Sequence, residues 1–127
     1  MGETSEVALS GVRVLVVEDE ALIMLAIEDM LAALGCEVTS ASRVETALVP
    51  ARDVGLDVAL LDVNVGGQRV FPVADALERR GVPFVFATGY GQATLPERFR
   101  DRPSIAKPFT AGDLEEALGR ALARLAP

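Results

Sequence analysis

The sequence predicts an α/β fold, a single doubly wound domain in which a five-stranded parallel sheet is covered by helices on both faces. Its 127 residues, half of them apolar, are enough for one buried core. Short apolar runs alternate along the chain with amphipathic stretches. Strands that alternate with helices are joined by right-handed crossovers and lie parallel. We expect residues 1–10, which are polar and acidic, to form a flexible tail and residues 11–127 to form the domain.

The first strand is expected over residues 12–17 (VRVLVV), because a nearly continuous β-branched run is typical of a strand buried on both faces. A helix follows it, and Gly35 ends that helix. The apolar side chains of this helix recur at helical spacing, at Ile23, Ile27, Met30, Leu31 and Leu34.

The next unit combines a second strand over residues 37–41 with a short helix. Ser42 and Glu45 have the spacing of a capping box, so we expect the helix to begin there. Pro50 has no N–H to donate inside a helix, and we therefore expect the helix to end near it.

A third strand is expected over residues 57–62, followed by a loop, VNVGGQ. Helical spacing then predicts a helix over residues 70–80 that Gly81 closes. Residues 83–87 and 104–106 are the fourth and fifth strands.

The last helix starts at Thr110, with Asp113 placed to cap it in return. It should bury one apolar face, formed by Leu114, Ala117, Leu118, Ala121, Leu122 and Leu125.

Charge and composition exclude several classes of protein. The net charge is −7 and no basic cluster exceeds the pair Arg79-Arg80, so we expect no nucleic-acid contact. The apolar runs are shorter than the ~18 residues of a membrane span, and the amino terminus has no signal pattern. We therefore expect a cytoplasmic protein without a membrane partner.

Two counts narrow the chemistry further. The chain has no histidine, which excludes histidine-based triads, histidine metal sites and a phosphohistidine of its own. The single Cys36 excludes an internal disulfide and a thiolate zinc site. We interpret Cys36 as a small apolar residue after a helix end, with a reactive thiol as the alternative.

Polar groups follow four of the predicted strands. An acidic triplet, residues 18–20, follows the first strand, Asp62 ends the third, Thr88 follows the fourth and Lys107 follows the fifth. The carboxyl ends of parallel strands meet at one edge of a sheet, where doubly wound folds bind their ligands. Crowded carboxylates suit Mg²⁺, and a lysine and a hydroxyl beside them suit phosphoryl transfer.

Each of these residues also has a simpler interpretation. Asp62 can be a turn former, Asp19 a helix cap, Thr88 part of a turn and Lys107 a solvated surface residue. Their occurrence after four different strands favours one shared site.

Four ordered motifs make the chain resemble the response-regulator receiver domain of two-component signalling. The resemblance extends over about residues 12–125. It implies the flavodoxin-like strand order 2-1-3-4-5. The motifs are VLVVEDE (14–20), LLDVNVGG (60–67), FATG (86–89) and KPFT (107–110).

The resemblance assigns a role to each matching residue. Asp62 is implied to be the phosphoacceptor. Glu18, Asp19 and Asp62 are implied to hold Mg²⁺ together with the backbone carbonyl of Asn64.

The last two motifs supply the contacts to the phosphoryl group. Thr88 is implied to bond a phosphoryl oxygen and Lys107 to pair with it. The peptide bond between Lys107 and Pro108 is expected to be cis.

Two departures from the family pattern affect its switch. Receivers usually carry an aromatic residue three positions before the lysine, and Ser104 stands there in this chain. Tyr90 is the ring that could replace it, the alternative being an exposed loop residue. Residues 91–103 contain Pro96 and Pro103, so we expect the usual fourth helix to be short or mobile. These features resemble a Phe-Ala-Thr-Gly subgroup associated with histidine kinases of the HWE type.

The leading hypothesis is a single-domain response regulator. A histidine kinase or phosphotransfer protein would phosphorylate Asp62, and the signal would leave by contact with a downstream protein or end in a phosphate sink. No turnover of a small molecule is expected, and the sequence assigns no oligomeric state. The alternative is a degenerate receiver that binds a partner independently of phosphorylation.

Enzymes on related scaffolds fit the residues less well. A haloacid-dehalogenase-like phosphatase needs a second Asp two residues after its nucleophile, where this chain has Asn64. The phosphate loop G-x-x-x-x-G-K-[ST] of a nucleotidase or kinase is absent from the sequence. A flavodoxin-like carrier would need a phosphate-binding hydroxyl loop after the first strand, and an acidic triplet stands there instead.

Overall fold

A computed structural model of the chain describes residues 9–91 and 94–124. Five strands form one parallel sheet: β1 (Arg13–Val17), β2 (Glu37–Ala41), β3 (Val58–Asp62), β6 (Phe84–Thr88) and β7 (Ser104–Ala106). Two short strands, β4 (Asn64–Val65) and β5 (Gln68–Arg69), form a separate hairpin. The helices are α1 (Ala21–Ala33), α2 (Val44–Asp53), α3 (Phe71–Arg79) and α4 (Ala111–Ala123). The sheet order β2-β1-β3-β6-β7 is 2-1-3-4-5 when its five strands are counted along the chain, which confirms the predicted topology.

The sheet is buried on both faces, because successive strand residues alternate between two apolar clusters. Leu61 and Phe86 belong to the cluster under α2 and α3. Leu60 and Val85 belong to the cluster under α1 and α4. All five residues of β3 and of β6 are buried, as expected for central strands of a parallel sheet.

Strand register brings the carboxyl ends of the central strands level with one another. Val17 of β1 pairs with Leu61 of β3, and Asp62 pairs with Ala87 of β6. Thr88 in turn pairs with Ala106 of β7. Residues that follow these strands therefore meet at one edge of the sheet, where the sequence predicts the site.

Helix α2 differs from its prediction at both ends. Its N-cap is Arg43 rather than Ser42, and no side chain caps it, so the expected capping box with Glu45 is wrong. The helix begins one residue later than predicted. Thr46 therefore occupies the third helical position, where a capping box needs a glutamate or glutamine.

The same helix also continues past Pro50 to Asp53. Ala47 and Ala51, on either side of the proline, are fully buried and hold this face on the core. The guanidinium of Arg80 donates to the carbonyl of Ala51 at 2.7 Å and to that of Val54 at 2.8 Å. Packing and these hydrogen bonds outweigh the cost of a proline within the helix.

Between β6 and β7, the described residues contain no α-helix and include a 3-10 turn, Glu97–Phe99, which agrees with the short fourth helix that the sequence predicts. This segment is anchored to α3 by two ion pairs. Arg98 Nη1 lies 2.7 Å from Asp75 Oδ1, and Arg102 Nη2 lies 2.8 Å from Glu78 Oε2.

A cluster of four phenylalanines lies beneath this segment. Neighbouring ring centroids are 5.3–6.0 Å apart, within the range of favourable aromatic pairs. Phe99 is fully buried in the cluster, so the segment is held by a core contact as well as by charge. The members of the cluster are Phe71, Phe84, Phe86 and Phe99.

The amino-terminal end of the domain packs against the core. Residues 1–8 of the expected tail lie outside the described residues, whereas Leu9 is buried against the core and its carbonyl accepts a hydrogen bond from Cys36 Sγ at 3.7 Å. Burial raises the pKa of the Cys36 thiol.

Thr110 and Asp113 form the predicted capping box of α4, while Leu125 lies outside the described residues. No helix in the described part of the chain is long and apolar enough to cross a membrane.

Candidate functional site

Three carboxylates meet at the carboxyl edge of the sheet. Glu18, Asp19 and Asp62 each place one oxygen within 4.8 Å of the other two. Glu18 is 2% exposed and Asp62 is 9% exposed, while Asp19 is exposed. Like charges at this separation, two of them removed from water, repel one another strongly. The cluster therefore favours a bound cation.

The ionisation of Asp62 reflects its burial first and the neighbouring carboxylates second. Burial and the nearby charge of Glu18 raise the pKa of Asp62 to about 6, against the opposing effect of Lys107. A carboxyl group whose pKa is strongly raised by burial and by a neighbouring charge is common in functional sites.

Lys107 lies between two of these carboxylates. Its Nζ is 3.0 Å from Glu18 Oε1 and 3.4 Å from Asp62 Oδ2. Burial alone would lower the pKa of Lys107, but the hydrogen bond to Glu18 and the charge of Asp62 outweigh burial and raise it. Lys107 therefore stays charged beside Asp62. The peptide bond between Lys107 and Pro108 is cis.

Thr88 brings a hydroxyl to the same edge. It is 3% exposed, and its Oγ1 accepts a hydrogen bond from the Tyr90 amide at 3.0 Å. The hydroxyl hydrogen is not used by this bond and can be donated elsewhere. The Tyr90 side chain is 79% exposed, and Ser104 is half-buried on β7. The role of Tyr90 as a switch stays a prediction.

The β4–β5 hairpin is a feature of the site that the sequence does not predict, since it stands where a loop is expected over residues 63–68. Gly66 and Gly67 have φ of +57° and +83°, which suits the two-residue turn that matches strand twist. The Gly66 amide donates to Asp19 Oδ2 at 2.9 Å. A Gly-Gly pair between two short strands is the signal that could have predicted the hairpin.

Hairpin register determines how Asn64 is presented. Val65 pairs with Gln68 across the turn, and the Val70 amide donates to the Val63 carbonyl at 2.9 Å. Asn64 lies between these two pairs, at the position whose backbone groups point away from the partner strand. The hairpin therefore does not use the Asn64 carbonyl.

The site opens to solvent through a cleft of about 410 Å³. It is lined by Asp19, Asp62, Asn64, Thr88, Tyr90 and Lys107, among others. A second groove, of about 460 Å³, lies on the other side of Lys107 and is mainly apolar. Its lining includes Leu22, Ile23, Ile27, Met30 and Phe109. The cleft and the groove share Lys107, so one partner can contact both.

The family model of the response regulator receiver domain matches residues 14–119. The chain belongs to this family. The resemblance on which the sequence analysis relied is thereby confirmed, and the acidic pocket of this receiver domain suits Mg²⁺. Receiver domains work with histidine kinases or phosphotransfer proteins in two-component systems.

Relatives of this receiver domain are known in sequence and structure. The transcriptional regulatory protein PdtaR of Mycobacterium tuberculosis is 33% identical over 117 residues, which cover 88% of this chain and 57% of PdtaR. The chain spans about half the length of the curated relatives it matches.

Two solved relatives cover nearly the whole receiver domain. The solution structure of SdrG from Sphingomonas melonis Fr1 is 44% identical with a TM-score of 0.78, covering 88% of this chain and 97% of SdrG. The receiver domain of the sensor histidine kinase PA1611 from Pseudomonas aeruginosa PAO1, with magnesium coordinated in its active site cleft, is 25% identical with a TM-score of 0.75. That match covers 90% of this chain and 99% of the other.

Proposed function

We propose that this receiver domain accepts a phosphoryl group on Asp62 from the phosphohistidine of a partner kinase, in a reaction that requires Mg²⁺. The observation that carries the proposal is the position of Asp62, with Lys107 Nζ at 3.4 Å on one side and the oxygens of Glu18 and Asp19 within 4.8 Å. This arrangement supplies a carboxylate nucleophile, a fixed positive charge and ligands for a divalent cation.

The transfer uses one oxygen of Asp62 as the nucleophile. A bond forms between this oxygen and phosphorus, while the bond between phosphorus and the donor imidazole nitrogen breaks and leaves its electron pair on the nitrogen. Lys107 is close enough to follow the charge from the carboxylate to the phosphoryl oxygens. Thr88 can donate its free hydroxyl hydrogen to one of these oxygens while still accepting from Tyr90.

The residues present fit Mg²⁺. Glu18, Asp19 and Asp62 would hold the ion with the Asn64 carbonyl, which the hairpin leaves unused. When bound, Mg²⁺ neutralises charge in the cluster and on the phosphoryl oxygens.

The partner would dock over the neighbouring apolar groove. Leu22 lines this groove and is 81% exposed, while Leu25, which is 56% exposed, lies on α1 outside the groove. A surface of this kind favours a protein partner, and through Lys107 it adjoins the cleft that holds Asp62. We propose that the phosphoryl donor is a histidine kinase, and the Phe-Ala-Thr-Gly motif favours a kinase of the HWE type. The phosphorylated protein would then contact a downstream protein or act as a phosphate sink.

The proposal is tested by incubating the protein with acetyl phosphate, or with a candidate kinase and ATP, in the presence of Mg²⁺. Intact mass spectrometry should show the gain of one phosphoryl group, which Asp62→Asn abolishes and EDTA prevents. Asp53→Asn changes an exposed carboxylate at the end of α2 and should behave as wild type. A gain of mass by Asp62→Asn at the wild-type rate would contradict the assignment. No gain by the wild-type protein under any of these conditions would favour the phosphorylation-independent binding module.

A further inference from the structure

The β4–β5 hairpin joins two parts of the site that are distant in sequence. It leaves the sheet immediately after Asp62, carries Asn64 in its first strand and reaches Asp19 with its turn. The contact at the tip is the hydrogen bond of 2.9 Å from the Gly66 amide to Asp19 Oδ2. One short segment therefore carries one of the four groups assigned to the cation, Asn64, and contacts a second, Asp19.

The side chain of Asp19 is fixed by fewer contacts than that of Glu18. Glu18 is buried and fixed by Lys107 and by the Glu20 amide, which donates to its Oε2 at 3.0 Å. The Asp19 side chain is exposed, and the Gly66 amide is the hydrogen-bond partner that restricts its rotation. Without that bond, Asp19 would lose side-chain entropy when a cation binds.

We propose that the glycine hairpin is a positioning element for the cation site, which orients Asp19 through the Gly66 amide and is itself ordered when a cation binds. The proposal rests on the cation site of the proposed function. A carboxylate has two oxygens, so Oδ2 can accept from Gly66 while the other oxygen ligates. Outer contacts of this kind orient metal ligands, and linkage makes the effect reciprocal.

The geometry of the turn shows which substitution of Gly66 keeps the hairpin and which one disrupts it. Gly66 has φ of +57°, and a Cβ built on it meets nothing within 4 Å. Asparagine tolerates this backbone conformation and forms the same hairpin turn with a following glycine, whereas valine does not. Gly66→Asn is therefore the conservative variant and Gly66→Val the disruptive one.

The first experiment measures Mg²⁺ affinity by calorimetry and by amide NMR shifts. We expect Gly66→Val to weaken Mg²⁺ binding about tenfold and Gly66→Asn to restore most of the affinity. Equal affinity of wild type and Gly66→Val would overturn the positioning role while leaving the cation site intact. Failure of the wild-type protein to bind Mg²⁺ would instead overturn the cation site on which the proposed function depends.

The second experiment needs no change in the hairpin and follows hydrogen exchange of the Gly66 amide. In the metal-free protein, Asp19→Ala should speed this exchange, because it removes the acceptor, whereas Asp19→Asn keeps an acceptor oxygen and should preserve protection. Mg²⁺ should slow the exchange in the wild-type protein. Equal exchange in wild type and Asp19→Ala, or exchange unaffected by saturating Mg²⁺, would contradict the proposal.

Discussion

Lys107 lies closer to Glu18 than to Asp62, with Nζ 3.0 Å from Glu18 Oε1 and 3.4 Å from Asp62 Oδ2. Glu18 therefore has two effects on Asp62: its charge raises the pKa of that carboxyl, and it shares the lysine that would lower it. The buried glutamate keeps Lys107 at the site when Asp62 is unmodified.

Replacing Glu18 should make Asp62 more acidic. Glu18→Gln removes a repelling charge and leaves Lys107 to Asp62 alone, so the pKa of Asp62 should fall from about 6 towards its ordinary value. Carboxyl-carbon NMR titration measures this directly. Glu116→Gln, the same change at an exposed position on α4, should leave the titration as in wild type. An unchanged pKa in Glu18→Gln would show that burial alone determines the ionisation of Asp62.

Asp62 should reduce the stability of the metal-free protein at neutral pH. The pKa of Asp62 is about 6 in the folded state and near 3.8 when unfolded, so the folded state binds more protons between these values. The free energy of unfolding should therefore fall as pH rises through this range, and it should stay reduced above it. We expect Asp62→Asn to gain about 3 kcal/mol at neutral pH and little below pH 3.8, as measured by urea denaturation.

Mg²⁺ provides the control for this effect. It should stabilise the wild-type protein and narrow its difference from Asp62→Asn, because it binds the folded cluster and offsets the repulsion. Asp29→Asn, at an exposed position on α1, should change the stability little at either pH. A gain of stability that does not depend on pH would contradict the electrostatic explanation.

The apolar groove should matter for a protein donor and not for a small one. Leu22 is 81% exposed at the rim of the groove, and covering such a side chain contributes roughly 1.5–3 kcal/mol. Leu22→Gln should therefore slow phosphoryl transfer from a kinase about tenfold and leave phosphorylation by acetyl phosphate unchanged. Val49→Gln, at a 60% exposed position on α2, is the matched control. Equal losses with both donors would place the effect in the site itself.

Phe99 should be essential for the segment between β6 and β7. Its ring is fully buried and contacts the rings of Phe71, Phe84 and Phe86. Phe99→Ala should cost about 3–5 kcal/mol of unfolding free energy in urea denaturation, and Phe99→Leu clearly less. Arg98→Ala removes a partly exposed ion pair and should cost much less than Phe99→Ala. The reverse order would mean that charge, rather than the aromatic cluster, holds the segment.

Tyr90 should affect the lifetime of the phosphorylated state rather than the fold. Its ring is 79% exposed and borders the cleft two residues past Thr88, where it can shield a phosphoryl group on Asp62 from water. Tyr90→Ala should lose the phosphoryl group several-fold faster than wild type in a mass-spectrometric time course, while Tyr90→Phe should not. Identical rates in all three proteins would assign Tyr90 to the loop alone.

The meeting of Asp62, Thr88 and Lys107 could be predicted because it depends only on strand ends and on the parallel order of the sheet. Each follows or ends a strand that sequence pattern identifies, and register then brings them together. No side-chain contact had to be known beforehand.

The two parts that sequence did not predict depend on contacts across the chain. Helix α2 passes Pro50 because Arg80, some 30 residues later, donates to the carbonyls at its end. The bond between Gly66 and Asp19 spans 47 residues and exists only once the hairpin has formed. The conformational propensities of neighbouring residues carry no information about either of these long-range hydrogen bonds.

Tyr90 also has a consequence for the intrinsic fluorescence of the protein. The protein has one tyrosine and no tryptophan, so its near-ultraviolet fluorescence comes essentially from this single ring. Because the ring borders the cleft that contains Asp62, the proposed Mg²⁺ binding and phosphorylation would take place beside the only strong intrinsic fluorophore in the sequence. The unlabelled protein is therefore its own optical probe of the site.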